Sequence, residues 1–313
     1  AFDRPFDVAP VAFALLPADN SSPSIVRIRD VTTSGFSIAQ LEVDNVAAGG
    51  AANDGIVTPS NVTFFAIEPG TGTIGGLAFE AGSISTTAIQ AGAGVPGAES
   101  FDTVTFGSPF GSAPAVTAFV QTMNNTGVEA VATGMPNSDP TASDFDIALQ
   151  LSEVDPSPAS IAQAESIGYF AMEQGVVTFL DADGNTITME SLDSSALNIQ
   201  ALSQEGGNGE SIAFSAGFTD PPLAVSSMTA LAGADGAWIR QFAISASNIS
   251  LFSQEDQHND TELNHAGEAA SIFAFSSAFT TIQAVPEPAS IAIWTVIGLG
   301  LAGFGYYRTR CKK

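Results

Sequence analysis

Residues 1–286 contain no lysine, and four arginines, Arg4, Arg27, Arg29 and Arg240, stand against 32 acids, a formal net charge of −28. Affinity for phosphate backbones comes almost entirely from Lys and Arg, so nucleic acid is excluded as a partner and a bare anionic lipid surface is repelled. Cysteine is scarcer still. The single one, Cys311, lies in a basic terminus, so the rest of the chain can form neither an intrachain disulfide nor a thiolate metal site. The only histidines, His258 and His265, are seven residues apart in a polar stretch. There is no Gly-x-Ser-x-Gly elbow, no Walker loop and no His-Glu-x-x-His zinc motif. These absences argue against an enzyme and demand no cofactor. Before the terminus the chain holds one Trp and one Tyr, Trp238 and Tyr169, which counts against a multivalent sugar-stacking surface.

What is present is apolar and repetitive. Residues of the AVILMFWYC set make up 45% of the chain, 22 of them Phe, and the acids are scattered, so the composition is that of a folding chain and not of a disordered acidic one. Three stretches open on the pattern Phe-x-x-x-Phe-x-x-x-Pro: Phe2, Phe6 and Pro10; Phe106, Phe110 and Pro114; Phe214, Phe218 and Pro222. Each closes some sixty residues later on an apolar run, Phe64-Phe65-Ala66-Ile67, Tyr169-Phe170-Ala171-Met172 and Ile272-Phe273-Ala274-Phe275. Such recurrence marks internal repeats.

Within the copies the segments are short, rich in Val, Ile, Thr and Phe, and punctuated by Gly, Asn, Asp and Pro. The alternation in Phe145–Leu151 and Val26–Arg29 is that of half-buried strands. No capped amphipathic helix is legible before the terminus. The expected fold is all-β: three tandem antiparallel β-sandwich domains followed by one C-terminal transmembrane-type helix. The expected boundaries are 1–73, 74–175, 176–283 and 284–313. The joints that start at Gly70 and Val176 are expected to lend opening strands to the domain that follows, and copy one has no such lead-in. The second joint carries Asp181-Ala182-Asp183-Gly184-Asn185, which begins like a calcium loop, but Leu192 stands where an EF-hand needs its bidentate Glu. A hairpin turn is the expectation there.

The last residues read Pro286-Glu287-Pro288, then 18 uncharged residues 289–306, then Arg308, Arg310, Lys312 and Lys313 close behind. That length and those flanks suit one membrane-spanning helix with its basic end in the cytoplasm. The order resembles the PEP-CTERM sorting signal of exported bacterial proteins. The resemblance implies export, transient anchoring in the inner membrane, removal of the tail by an exosortase-type enzyme, and delivery to the cell surface or extracellular matrix. An exported chain requires a leader, and none precedes Ala1, so a trimmed start is expected.

The Phe-x-x-x-Phe-x-x-x-Pro frame, together with Arg27-Ile28-Arg29-Asp30-Val31-Thr32-Thr33-Ser34-Gly35-Phe36 and the late acids and His of copy three, resembles H-type lectin domains and, more closely, the tandem H-type-lectin-like repeats of bacterial surface proteins. Copy two keeps the frame without the Arg. That resemblance implies six-stranded sandwiches, a trimeric association and sugar binding through an Arg, acids and aromatic or His side chains. Three copies in one chain allow either a trimer-like cluster or a string.

Candidate sites follow. Trp238 and Arg240, two apart on one strand, share a face, and with His265 and Glu268 they form the candidate carbohydrate site. Glu255, Asp256, Asp260 and Glu262 form a candidate low-affinity calcium cluster. The leading reading is an exported structural or adhesive protein that self-assembles through β-edges into filaments or large oligomers, copy one being an incomplete sandwich able to accept a neighbour's strand. The alternative is a lectin-like array tethering exopolysaccharide through copy three.

Overall fold

The computed structural model describes residues 1–16, 24–42, 56–57, 62–90, 100–125, 131–134, 140–151, 163–194, 198–201, 203–230, 232, 237–255 and 264–280. Among these residues there is no helix; the fold is all-β and its sheets are overwhelmingly antiparallel. Copy one supplies β1 (Val11–Leu15), β2 (Ser24–Thr32), β3 (Gly35–Glu42), β4 (Ile56–Val57) and β5 (Thr63–Ile67). Next come β6 (Gly70–Ile74), β7 (Leu77–Thr86), β8 (Ile89–Gln90), β9 (Asp102–Thr105), β10 (Ala115–Val120), β11 (Val131–Gly134), β12 (Asp144–Leu151) and β13 (Glu165–Met172). The third set is β14 (Gly175–Leu180), β15 (Thr186–Asp193), β16 (Glu210–Ala213), β17 (Leu223–Met228), β18 (Ala237–Ile244), β19 (Asn248–Glu255) and β20 (Ala270–Phe275).

Each copy contributes an inner and an outer sheet. The inner sheets run β1-β5, β10-β13-β7-β6 and β17-β20-β15-β14; the outer ones are β2-β3-β4, β11-β12-β8 with β9 also on β12, and β16-β19-β18. Strand β6 straddles the expected 73/74 boundary, and the hairpins β6–β7 and β14–β15 join the sheets of β13 and β20, the closing strands of the copies that follow them. Periodicity separates the layers. Outer strand β16 alternates partly buried and exposed residues, whereas β1 and β20 are buried at every position, because an inner strand is covered on both faces and therefore reads as a continuous apolar run.

The Phe-x-x-x-Phe element has one geometry three times. Phe2–Phe6, Phe106–Phe110 and Phe214–Phe218 are edge-to-face pairs with ring centroids 4.9, 4.8 and 5.3 Å apart, an arrangement favoured by the ring quadrupole. The first Phe of each donates its N–H to the carbonyl of Ser34, Ser143 or Ser247, at 2.8, 2.9 and 2.9 Å. Those serines sit in equivalent turns, where the hydroxyl of Thr32, Thr141 or Ser245 accepts the N–H two residues on, at 3.3, 3.1 and 3.2 Å.

The three copies cluster around one centre. Strands β1, β10 and β17, one opening strand from each copy, contact one another, and a single apolar cluster takes Phe13 and Phe65 from copy one, Phe170 and Met172 from copy two, and Val225, Phe273 and Phe275 from copy three. The homologous rings meet: Phe65–Phe170 at 5.2 Å and Phe170–Phe273 at 4.9 Å, with Phe65–Phe275 at 5.2 Å. Burying such a ring contributes about 1.5–3 kcal/mol. Side chains also seal strand edges across copies. The Gln121 amide accepts the Ala12 N–H (2.9 Å) and donates to the Ala12 carbonyl (2.7 Å); Ser271 and Ser227 hydroxyls accept the N–H groups of Val116 and Ala118 at 2.9 and 3.1 Å. Gly168 permits the close approach of copies one and two, since a Cβ there would lie 2.9 Å from Val11 Cγ1 and 3.0 Å from Gln121 Cδ.

Candidate functional site

Trp238 and Arg240 lie on β18 and share one wall, as their spacing requires, with Arg240 buried in it. They line a cavity of about 60 Å³, roomy enough for a water or two, together with Ala14 and Leu16 of copy one, Phe119 and Val120 of copy two, and Met228 of copy three. Trp238 is partly buried, and its indole N–H has no acceptor among the described residues. Arg240 is 1% exposed and donates to Gln254. His265 and Glu268 are also buried and face each other, His265 Nε2 lying 3.1 Å from Glu268 Oε1. Glu268 accepts the Ala232 N–H at 3.0 Å on each oxygen. Among the described residues the structure thus sets Trp238 beside Arg240 and His265 against Glu268. A sugar would reach Arg240, His265 or Glu268 only by opening the protein.

Of the acidic cluster, Glu255 ends β19, and Asp256, Asp260 and Glu262 lie outside the described residues, as does His258. So do Pro286, Glu287, Pro288, Arg308, Arg310, Lys312 and Lys313 of the sorting signal, with the expected span 289–306. The Asp181–Asn185 stretch is the turn of the β14–β15 hairpin. The Asp181 carboxylate accepts the N–H groups of Asp183 (2.9 Å) and Asn185 (2.8 Å) and the Asn185 amide (2.9 Å), and Gly184 takes φ +85°. The Asn185 side-chain bond and these backbone bonds hold Asp181 below the usual carboxylate range. Its oxygens serve the turn.

Buried charge adds Glu165, a position that sequence reading passed over, and gives Arg27 a partner in copy two. Arg27 and Arg240 occupy the same place in their copies, paired across the outer sheet with Ala39 and Phe252 respectively; Gly134, opposite Ala148, stands there in copy two. Arg27 reaches into copy two, donating to the Thr122 carbonyl at 2.7 Å, with its guanidinium 3.8 Å from the Glu165 carboxylate. Burial pulls the Arg27 pKa down, and the Glu165 charge offsets part of that. Burial alone would raise Glu165, but hydrogen bonds from Thr122, Asn124 and Asn125 outweigh it and leave the carboxyl below its ordinary value. Glu165 and Glu268 each precede the core Phe by five residues, a spacing that an alignment of the closing strands exposes.

The least symmetric feature is an edge. Closing strands β13 and β20 are flanked on both sides, by β10 and β7 and by β17 and β15. Their counterpart β5 pairs only with β1 among the described residues. β13 and β20 are buried almost throughout, whereas β5 is largely half-buried, with Phe64 51% exposed. Phe64 rests edge-on against Phe36 at 5.3 Å. The strand carries no Lys, Pro or bulge, the devices that ordinarily blunt an open edge.

Compared with protein-family models, with curated proteins and with solved structures, the chain matches none.

Proposed function

We propose that this chain is an exported structural or adhesive protein of a bacterial surface or extracellular matrix, built of three tandem β-sandwich repeats and assembling with itself through β-edges. The observation that carries the reading is β5, which among the described residues is paired on one side where both homologous strands are paired on two. An unblunted edge bearing an exposed Phe favours addition of a strand from another chain. With four arginines among the first 286 residues, two of them buried, ion pairing contributes little to cohesion, and backbone hydrogen bonds and apolar contacts carry it.

The tail from Val285 to Lys313 completes the proposal as a sorting signal: Pro286-Glu287-Pro288 for recognition, 289–306 for the inner membrane, and the basic end to hold orientation. Exosortase-type removal then releases the protein to the surface. Sedimentation and electron microscopy of the secreted protein at high concentration test the assembly, with filaments or large oligomers expected; a monodisperse monomer would overturn it. A mass measurement of protein taken from its native surface tests processing, since a retained tail contradicts the sorting reading.

A further inference from the structure

The two occupied edges specify what the third one takes. Phe65-Ala66, Phe170-Ala171 and Phe273-Ala274 are equivalent by sequence and by register, for Ala66, Ala171 and Ala274 pair with Ala12, Val116 and Ala224, each two residues beyond the recurring prolines Pro10, Pro114 and Pro222. On the far side of the closing strand, Ala171 pairs with Glu80 of β7 and Ala274 with Glu190 of β15, both antiparallel. The flanking partners match as well. Phe79 and Met189 stand opposite Met172 and Phe275, and Ala81 and Ser191 opposite Phe170 and Phe273. The occupant of this position is therefore a strand reading apolar, Glu, small.

The Glu has a defined task. Glu80 accepts the Gly107 N–H at 2.8 Å and the Tyr169 hydroxyl at 2.9 Å. Glu190 accepts the N–H groups of Ser215 at 2.9 Å and Ala216 at 3.0 Å and the Ser215 hydroxyl at 2.6 Å. Gly107 and Ser215 directly follow the first Phe of their motifs, Phe106 and Phe214, so the carboxylate ties the lead-in strand to the Phe loop. Both carboxylates are at most 8% exposed, and a buried carboxylate is tolerated only where donors meet it. In copy one the loop residues after Phe2 are Asp3 and Arg4, both exposed, and no described strand lies beside Ala66 on the side away from β1.

We propose that the outer edge of β5 accepts an antiparallel strand from a separate polypeptide whose register sets an apolar residue opposite Ile67, a Glu opposite Ala66 and a small residue opposite Phe65, the Glu bonding the backbone N–H groups that follow Phe2. This rests on the edge-assembly reading above and names the strand that the edge selects. Phe279 rests on Phe65 at 6.4 Å much as Phe79 rests on Phe170 at 5.8 Å, so the entering apolar residue packs beside or in place of that ring.

The test uses a labelled peptide with the sequence of Thr186–Asp193 and its Glu190→Ala counterpart, titrated into the full chain by fluorescence anisotropy while backbone amide exchange is followed. Saturable binding of one peptide per chain is expected, with exchange slowed at least about tenfold at the Phe64 and Ala66 amides, which face away from β1 because the Ala12 N–H and carbonyl opposite Ala66 are bonded to Gln121. The Ala peptide should bind about tenfold or more weakly, the loss expected on removing a charge-assisted hydrogen-bond acceptor from buried donors. No binding, equal binding of the two peptides, or protection confined to other strands would overturn the proposal. It is also overturned if the Phe64 and Ala66 amides are already protected in the isolated monomeric chain, which makes the chain's own remaining residues the occupant. Sedimentation of the same samples separates the two readings. Self-assembly without selective peptide binding leaves edge assembly standing and removes the strand signature, whereas selective binding by a chain that stays monomeric does the reverse.

Discussion

The guanidinium of Arg27 lies 3.8 Å from the carboxylate of Glu165 across the boundary between copies one and two, and both side chains are fully buried. A buried pair of this kind is costly to break from one side, because removal of either partner strands a desolvated charge, typically at 3–5 kcal/mol. It also couples copy one to copy two irrespective of the apolar core. Three expectations concern that coupling and two concern the edge and the cavity.

Glu165 is held below its ordinary value near 4.5, so it contributes stability above that pH, and the contribution is lost as pH falls through the lower, folded-state value. Glu165→Gln is expected to destabilise the protein by about 2–4 kcal/mol at pH 7. The gap between variant and wild type should narrow on acidification below about pH 4.5. Chemical denaturation at a series of pH values checks this; a gap that stays constant to pH 2 contradicts it.

Phe170 touches Phe13, Phe65, Phe79 and Phe273, rings drawn from all three copies. Phe170→Ala should cost about 3–5 kcal/mol and lower the stability of the whole chain together. Calorimetry is expected to show one shifted transition. Separate transitions, with only that of copy two moved, would mean the copies unfold as independent beads.

Gly168→Ala sets a Cβ 2.9 Å from Val11 Cγ1 and 3.0 Å from Gln121 Cδ. The Val11 strand is fixed in the core, so a loss of about 1–3 kcal/mol is expected. Thermal melts of Gly168→Ala beside Gly184→Ala, whose added Cβ meets nothing within 4 Å but whose φ is +85°, would separate crowding at the interface from backbone strain in a turn.

Phe64→Lys places a charge on the exposed residue of β5. Folding should suffer by no more than about 1 kcal/mol, the loss of one edge-to-face contact with Phe36, while assembly should fall sharply because an edge Lys opposes pairing. Light scattering against concentration reads the second effect; unchanged assembly would place the contact elsewhere.

Trp238→Phe removes an N–H that has no acceptor among the described residues and keeps an aromatic ring in the cavity wall. The expected stability change is under about 1 kcal/mol. Binding to exopolysaccharide should be unaffected by Trp238→Ala, because Trp238 is partly buried and the pocket it lines, about 60 Å³, has room for a water or two; a loss of glycan binding in that variant would favour the lectin-like alternative.

Much of the architecture is written locally. The short Val, Ile and Phe runs locate the strands, Asp183-Gly184 marks a hairpin, and the three Phe-x-x-x-Phe-x-x-x-Pro elements announce a repeat whose aromatic pairs recur with the same geometry. The candidate site was less legible. Trp238 and Arg240 share a face as their spacing dictates, but alternation says only that a face is distinct, not whether solvent or another sheet covers it. The burial of Arg27, Arg240, His265 and Glu268 depends on side chains and backbone groups distant in sequence: Thr122 and Glu165 for Arg27, Ala232 for Glu268.

The amino-acid sequence by itself determined an all-β chain of repeated units with almost no cations, because strand period, turn residues and charge are properties of neighbouring residues. Only the tertiary structure decided that the three copies close around Phe65, Phe170 and Phe273, and that among the described residues β13 and β20 are flanked on both sides while β5 is flanked on one. Apolar runs such as Phe64–Ile67 and Ile272–Phe275 demand burial without naming a partner, and which strand lies beside each is settled by packing between segments more than forty residues apart.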